Sequence, residues 1–336
     1  MSSRFHWKRF LAIGLFNILI AALLFGGAEY LYCRYVISHT IFESVKDMEF
    51  DEWLGWVPKP GRYGRHTITP DRFRETRPKN FSPPSRKVLI CGDSFAYCCG
   101  VLDNETWPYY LSEKTGWQIT NAGVSGYGLD QTILRLEKVI DDIRPEIVII
   151  SMIADDVSRC ELSKRTHFKP FYNIVNDEPV LCNQPVPSPV ELSEEHQWYE
   201  KSLIVRHVIG ILSGGYWQGP DNVREHDKGM MVARYLCSRA KNISRRYNAE
   251  LVMMIQPAHA FAGEKESHNA TKIEKMIRSL NIPILNLLPR LDQDFAGRNA
   301  TRIALFVGHM DAPGNKWVAE KVEEFIKNLT LRANFL

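Results

Sequence analysis

The sequence predicts an α/β protein with a central parallel sheet covered by helices on both faces. Three observations carry this. Short apolar runs recur at Lys87–Cys91, Trp117–Thr120, Glu146–Met152, Glu250–Ile255 and Pro283–Leu287. Between most of them lie stretches with helical spacing, at Glu105–Thr115, Leu129–Ile143, Val223–Tyr247 and Glu264–Leu280. The run Glu-Ile-Val-Ile-Ile-Ser-Met at 146–152 is nearly continuous in apolar side chains rather than alternating, as expected for a strand buried on both faces. Strands alternating with helices in this way build parallel sheets through right-handed crossovers.

The first element is of another kind. Arg4, Lys8 and Arg9 precede a run from Phe10 to Ala28 in which Asn17 is the one strongly polar side chain. Nineteen residues at about 1.5 Å each span roughly 28 Å, close to the hydrocarbon thickness of a bilayer. The basic flank favours a cytoplasmic N-terminus, with the remainder outside the cytoplasm and, in a bacterium, periplasmic. A cleavable signal peptide is the alternative, since Gly26-Gly27-Ala28 is a small-residue site.

A juxtamembrane stretch follows to about Phe50, then a segment from Asp51 to Arg86 rich in Pro, Gly and Arg. That composition argues for an irregular extended wrap. Asn104 is a possible cap for the helix at 105–115. Pro145 stops the helix that begins at Leu129. From about residue 160 to 205 the rhythm breaks, with Pro170, Pro179, Pro185, Pro187 and Pro189, and an insertion over the sheet edge is expected. Pro313 opens the last helix, Ala312–Lys327, at its first turn. The organisation is therefore a cytoplasmic N-terminus at 1–9, a transmembrane anchor or uncleaved signal at 10–32, a juxtamembrane and wrap segment at 33–85, and a folded domain at 86–330 with the insertion inside it.

Composition narrows the function. The 336 residues are 45% hydrophobic and 24% charged, with a net charge of +3. That balance, without a Lys/Arg-rich run, excludes nucleic acid as the expected partner. Neither Gly-x-Gly-x-x-Gly nor a P-loop is present, which disfavours a nucleotide binder on the same sheet. Seven cysteines, at 33, 91, 98, 99, 160, 182 and 237, show no zinc-site spacing. An exported location would permit disulfides, and Cys160 with Cys182 is the pair to test first. Buried small hydrophobes are the plainer reading of all seven, preferred for Cys91. Five Asn-x-Ser/Thr triplets begin at Asn104, Asn242, Asn269, Asn299 and Asn328; they are treated as chance occurrences.

Four blocks carry the chemistry. Gly92-Asp93-Ser94-Phe95 ends the first strand, where a serine hydroxyl is lifted from the C-terminal edge of the sheet. Asn121-Ala122-Gly123-Val124-Ser125-Gly126-Tyr127-Gly128 follows the second strand, and Ala154-Asp155-Asp156 the third. Near the C-terminus, His309 lies five residues before Gly314 at the start of a helix. Each residue has an inert reading: Ser94 as a helix N-cap, His309 as a solvated loop histidine, Gly123, Gly126 and Gly128 as turn glycines. Their order in the chain favours the chemical one. His259, in Gln256-Pro257-Ala258-His259, is an outside candidate for a substrate contact.

In that order the blocks resemble the SGNH, or GDSL-type, hydrolase family over roughly residues 86–328. Leu54-Gly55-Trp56 and Asp71-Arg72-Phe73-Arg74 resemble leaders of its membrane-anchored bacterial members. The resemblance implies a three-layer flavodoxin-like SGNH-hydrolase fold, here preceded by the N-terminal transmembrane helix. It implies ester chemistry without metal or cofactor, with Ser94 as nucleophile and His309 as base. The amides of Ser94 and Gly123 would form the oxyanion hole, and Asp93 and Asn121 would support it. Two positions depart from the family. Asp155 stands where a donating Asn side chain is expected, and an ionised carboxylate cannot donate. Phe306 stands where an acid would orient the imidazole, which reduces the triad to a Ser-His dyad. The expected function is a membrane-anchored, exported serine esterase or O-acyltransferase acting on acylated carbohydrate, envelope polymer or lipid. The alternative is a binding or assembly protein on the same fold with impaired catalysis.

Overall fold

The computed structural model describes residues 3–31, 47–78, 86–163, 165, 168–187 and 228–333. The chain divides into two units, taken separately. One contains helix α1 (Ser3–Leu31), whose portion Arg9–Leu31 is long and apolar enough to cross a membrane. Cys33, most of the juxtamembrane stretch and the part of the insertion beyond residue 187 lie outside the described residues.

The other unit spans residues 47–187 and 220–336. Its wrap opens with two short antiparallel hairpins, β1 (Met48–Asp51) with β2 (Gly55–Pro58), and β3 (Gly61–Tyr63) with β4 (His66–Ile68). The segment is extended, as expected, but parts of it are regular, paired in these two hairpins. Then come β5 (Lys87–Gly92), the one-turn helix α2 (Ser94–Tyr97), α3 (Trp107–Thr115), β6 (Gln118–Asn121), α4 (Leu129–Ile143), β7 (Ile147–Met152) and the short helix α5 (Asp155–Ser158). The described part of the insertion is a hairpin of β8 (Phe171–Val175) and β9 (Glu178–Cys182). The chain continues through α6 (Gly229–Arg246), β10 (Glu250–Ile255), α7 (Glu264–Ser279), β11 (Ile284–Asn286), α8 (Leu288–Asp294) and α9 (Asn299–Ile303). The two-residue strands β12 (Phe306–Val307) and β13 (His309–Met310) lead into α10 (Ala312–Ala333).

Five strands form one parallel sheet in the order β11-β10-β7-β5-β6. Numbered by sequence within the sheet this is 2-1-3-4-5 read from the other edge, the flavodoxin-like order, whose switch point lies between the first and third strands. Those strands are β5 and β7, so the C-terminal end of β5 is where a site is expected.

Successive side chains on each strand point to opposite faces, and the core divides accordingly. Leu89, Cys91, Val148, Ile150, Leu251 and Met253 pack against α4, α6 and α7. Val88, Ile90, Ile149, Val252 and Met254 pack against α3, α8 and α10. A third cluster joins the wrap to the loop after β6, through Leu54, Trp56, Val57, Val124, Tyr127 and Leu134.

The helix α3 is capped differently from expectation. Thr106, not Asn104, is the N-cap of α3, its hydroxyl accepting from Tyr109 N at 3.2 Å, because residues 103–105 form a separate 3-10 turn. Cys160 and Cys182 are free, as are Cys91, Cys98, Cys99 and Cys237. The Cys160–Cys182 bridge is therefore corrected: Cys160 is buried in the 3-10 turn after α5 with its thiol on Asp156 O, and Cys182 bonds Val180 O in β9. Burial pushes the Cys91, Cys98 and Cys237 thiols up to about 12 and Cys99 to about 11, which suits inert packing groups.

Candidate active site

β5 ends at Gly92 because nothing larger fits. A Cβ there would come within 2.2 Å of Ser151 O on β7 and 2.7 Å of the Ala96 side chain. This close approach lets α2 start directly at the sheet edge. Asp93 is the N-cap of α2, accepting from Phe95 N at 2.9 Å. Ser94 is then the first helical residue, so its own amide has no intrahelical acceptor. Ser94 is buried, at 8% exposure.

His309 reaches that hydroxyl from the other end of the chain. Its Nε2 lies 2.9 Å from Ser94 Oγ. The ring is carried on a tight hairpin in which Val307 pairs with His309 across Gly308, whose φ of +77° favours glycine. Phe95 packs against the imidazole with ring centroids 5.0 Å apart. Phe306 packs against the core under this hairpin. Among the described residues no hydrogen bond reaches His309 Nδ1. Burial lowers the His309 pKa, and the nearby Asp93 carboxylate opposes the shift. The imidazole is thus a neutral acceptor at pH 7, as a general base must be.

The loop after β6 is anchored from several sides. Asn121 Nδ2 donates to Ala96 O at 2.9 Å, tying the loop to α2, and Asn121 Oδ1 accepts from Gly123 N at 3.0 Å. The Gly123 amide, expected in the oxyanion hole, is therefore engaged by Asn121. A Cβ on Gly123 would lie 2.6 Å from Tyr97 N, so glycine is what lets this loop sit against α2. Arg135 Nε donates to Ala122 O at 2.7 Å, and Trp56 Nε1 to Ser125 O at 3.0 Å.

Asp155 is drawn elsewhere. Its carboxylate accepts from Ser158 Oγ and from Arg159 Nε, both at 2.9 Å, and makes none of its described hydrogen bonds to Ser94, Gly123 or His309. Arg159 is buried and sits among three acids, pairing with Asp155 and Asp156 and lying 3.6 Å from Asp93 Oδ2. Burial raises both Asp93 and Asp156, and Arg159 opposes this. His259 is exposed on the loop after β10 and contributes no described bond to the dyad.

The supporting roles of two residues escaped the sequence reading. Arg74, 1% exposed, crosses from the wrap to donate to the carbonyls of Tyr97 (3.3 Å), Cys98 (3.4 Å) and Val101 (2.8 Å) at the end of α2. Its backbone also bridges to Asn121 on the edge of the sheet. Arg159 is the other. Both lie in segments whose local sequence looks solvated; only the fold shows them buried. Among the described residues no group of three His, Cys, Asp or Glu side chains could hold a metal ion.

No protein-family model matches the chain, and no curated protein does. Solved structures similar to it include a protein assigned to the G-D-S-L lipolytic family from Desulfitobacterium hafniense, at 10% identity and a TM-score of 0.42, covering 72% of this chain and 99% of that one. The esterase EstA from a Pseudoalteromonas species gives 15% identity and a TM-score of 0.41, covering 73% and 99%. An acetyl xylan esterase gives 14% and 0.44, covering 71% and 98%. What the site of the present chain can do follows from its own geometry.

Proposed function

We propose that the protein is a membrane-anchored, exported serine esterase or O-acyltransferase of the SGNH kind. The observation that carries this reading is the 2.9 Å approach of His309 Nε2 to Ser94 Oγ at the sheet's switch point. Ser94 Oγ attacks the ester carbonyl carbon while His309 takes its proton. The same proton goes to the alkoxide oxygen as the tetrahedral intermediate collapses, leaving an acyl-Ser94. Water or an acceptor hydroxyl then attacks, again deprotonated by His309, and Ser94 is regenerated. Acylated carbohydrate, envelope polymer or lipid is the proposed substrate class, following the family resemblance of the sequence blocks. The helix α1 would hold the domain at the membrane, with the N-terminus cytoplasmic.

A second reading, an impaired enzyme that binds rather than turns over, is favoured by one observation. Gly123 N is engaged by Asn121, and Asp155 by Arg159, where oxyanion donors are expected. Loss of one such donor typically costs about 3–4 kcal/mol of barrier. The two readings part in an assay of the full chain in detergent with short-chain aryl esters, with and without a glycan acceptor. The esterase reading expects turnover that Ser94→Ala abolishes. Transfer to the glycan marks an acyltransferase, and no turnover by folded protein sinks the reading.

A further inference from the structure

Three blocks of the site hang on the ends of three different strands, and one side chain reaches all of them. Arg159, in the turn after α5, is buried at 5% exposure. Its Nη1 donates to Tyr127 O at 2.8 Å, in the loop after β6. Its Nε donates to Asp155 Oδ2 at 2.9 Å, and its Nη1 pairs with Asp156, both in the block after β7. The same Nη1 lies 3.6 Å from Oδ2 of Asp93, the N-cap of α2 that directly precedes Ser94.

Each partner is itself fastened to the site. Asp93 Oδ1 accepts from Phe95 N at 2.9 Å and so fixes the turn that carries Ser94. Tyr127 N donates to Val124 O at 3.4 Å, and Val124 N to Gly92 O at 3.0 Å, which ties the loop of Gly123 back to the end of β5. Asp156 Oδ2 accepts from Ile153 N at 3.0 Å, closing the turn after β7. Arg159 is held along its length as well. A Cβ on Gly128 would come within 2.8 Å of Arg159 Cβ, and Arg159 O accepts from Lys169 Nζ at 3.2 Å. Asp93 Oδ2 and Asp156 Oδ1 accept no hydrogen bond among the described residues, and there Arg159 is the ion-pair partner of both.

We infer that Arg159 is a positioning residue, a clasp that holds the strand-end loops of Ser94, Gly123 and Asp155 in one register. The inference rests on the serine esterase reading of that site. A guanidinium suits the task because its donors form a rigid planar fork that serves several acceptors at once. The pairs with Asp155 and Asp156 lie within one helical turn and are local. The contacts with Tyr127 and Asp93 cross between strand ends, and these are what join the loops. Asp155 gains a use here. It stands where a donating Asn is expected and serves instead as an acceptor for the clasp. Arg159 makes none of its described bonds to Ser94 or His309, so it acts on the reaction through the loops.

The test is Arg159→Lys, which keeps the charge and loses the fork. Hydrogen exchange of the full chain in detergent, read by mass spectrometry, compares the variant with the wild type. The expected result is exchange at least about tenfold faster in peptides covering 93–97, 122–128 and 153–158 together, with β7 and β10 unchanged. Unchanged exchange, a rise in 153–158 alone, or an equal rise through the strands overturns the clasp. On an aryl ester, kcat per folded molecule should fall at least about tenfold with KM within about twofold, because alignment of the reacting groups is lost rather than ester binding. A raised KM at unchanged kcat would count against the clasp. Should Arg159→Lys not fold, the guanidinium of Arg159 is followed by NMR in the wild-type chain, its resonances assigned by their shift in Asp155→Asn. Separate, slowly exchanging Nη protons are expected of a guanidinium held from several sides; one averaged, rapidly exchanging signal overturns the inference. The exchange measurements require no turnover. The three-segment pattern without esterase activity would sink the esterase reading alone, whereas activity without that pattern would sink the clasp alone.

Discussion

His309 Nε2 meets Ser94 Oγ at 2.9 Å although the two residues stand 215 positions apart and no acid occupies position 306. The alignment is produced by packing. Phe95 packs at a tilt against the imidazole, Phe306 seats the hairpin in the core, and Gly308 turns the chain between Val307 and His309. An orienting carboxylate is one way to fix an imidazole; here a two-residue strand pair and an aromatic neighbour fix it.

The pH dependence follows from burial. Burial disfavours the imidazolium, so the folded His309 pKa lies below the ordinary 6.5. The base is competent when neutral, so kcat/KM for an aryl ester should rise with pH through an inflection below about 6.5 and stay level to about pH 8. The same depression means that the unfolded chain binds more protons than the folded one between the two pKa values. This contribution to stability is full above the unfolded value and declines as pH falls through the folded one. A pH–rate profile with its acid inflection above 7 would contradict the assignment.

Arg74 should matter to both stability and turnover. Its guanidinium satisfies three carbonyls after α2 and pairs with Asp103 at 2.9 Å. Arg74→Ala leaves those buried acceptors without partners and should cost about 3 kcal/mol or more. With the end of α2 released, kcat should fall more than KM rises. Denaturant titration and steady-state kinetics on the same preparation check both.

Lys169 and Asp130 form an ion pair with both side chains fully buried. Lys169 Nζ also donates to Leu162 O and Pro170 O, both at 2.9 Å, so every proton is used and the insertion is fastened to α4. Removing one partner of such a pair strands a buried charge. Lys169→Met should therefore destabilise the protein by about 3–5 kcal/mol, read from the shift in urea midpoint.

Gly92→Ala adds one methyl where 2.2 Å separates the Cβ position from Ser151 O. The entropic gain of alanine, about 0.4–1 kcal/mol, is outweighed by overpacking of a parallel strand pair. The variant should lose at least about 2 kcal/mol of stability and show weaker fluorophosphonate reaction, since β5 and β7 must part beneath Ser94.

The sheet was legible because its strands carry their own signal. Val88 to Cys91, Ile147 to Met152 and Leu251 to Ile255 are apolar on both faces, and such runs have few other places to go. Leu129–Ile143 was equally plain, since its apolar stripe repeats at helical spacing. The blocks holding Ser94 and His309 could be placed, and the fold brings them together. The wrap was read as extended but not as hairpins, because β1 to β4 are short and pair through the backbone, which composition does not encode. Nor could the buried roles of Arg74, Arg159 and Lys169 be read: a charged side chain reads as solvated until its partners from distant segments are known. The engagement of Gly123 by Asn121 is a matter of one amide's direction, below the reach of any motif.

The central claim is that Ser94 is a nucleophile activated by His309, and covalent labelling tests it most directly. The full chain in detergent, treated with a fluorophosphonate and digested for mass spectrometry, should carry the phosphonyl group on the peptide containing Ser94. Ser94→Ala should abolish the adduct, and His309→Asn should slow it by at least about a hundredfold. Folded protein that stays unlabelled, or an adduct that survives Ser94→Ala, would contradict the account.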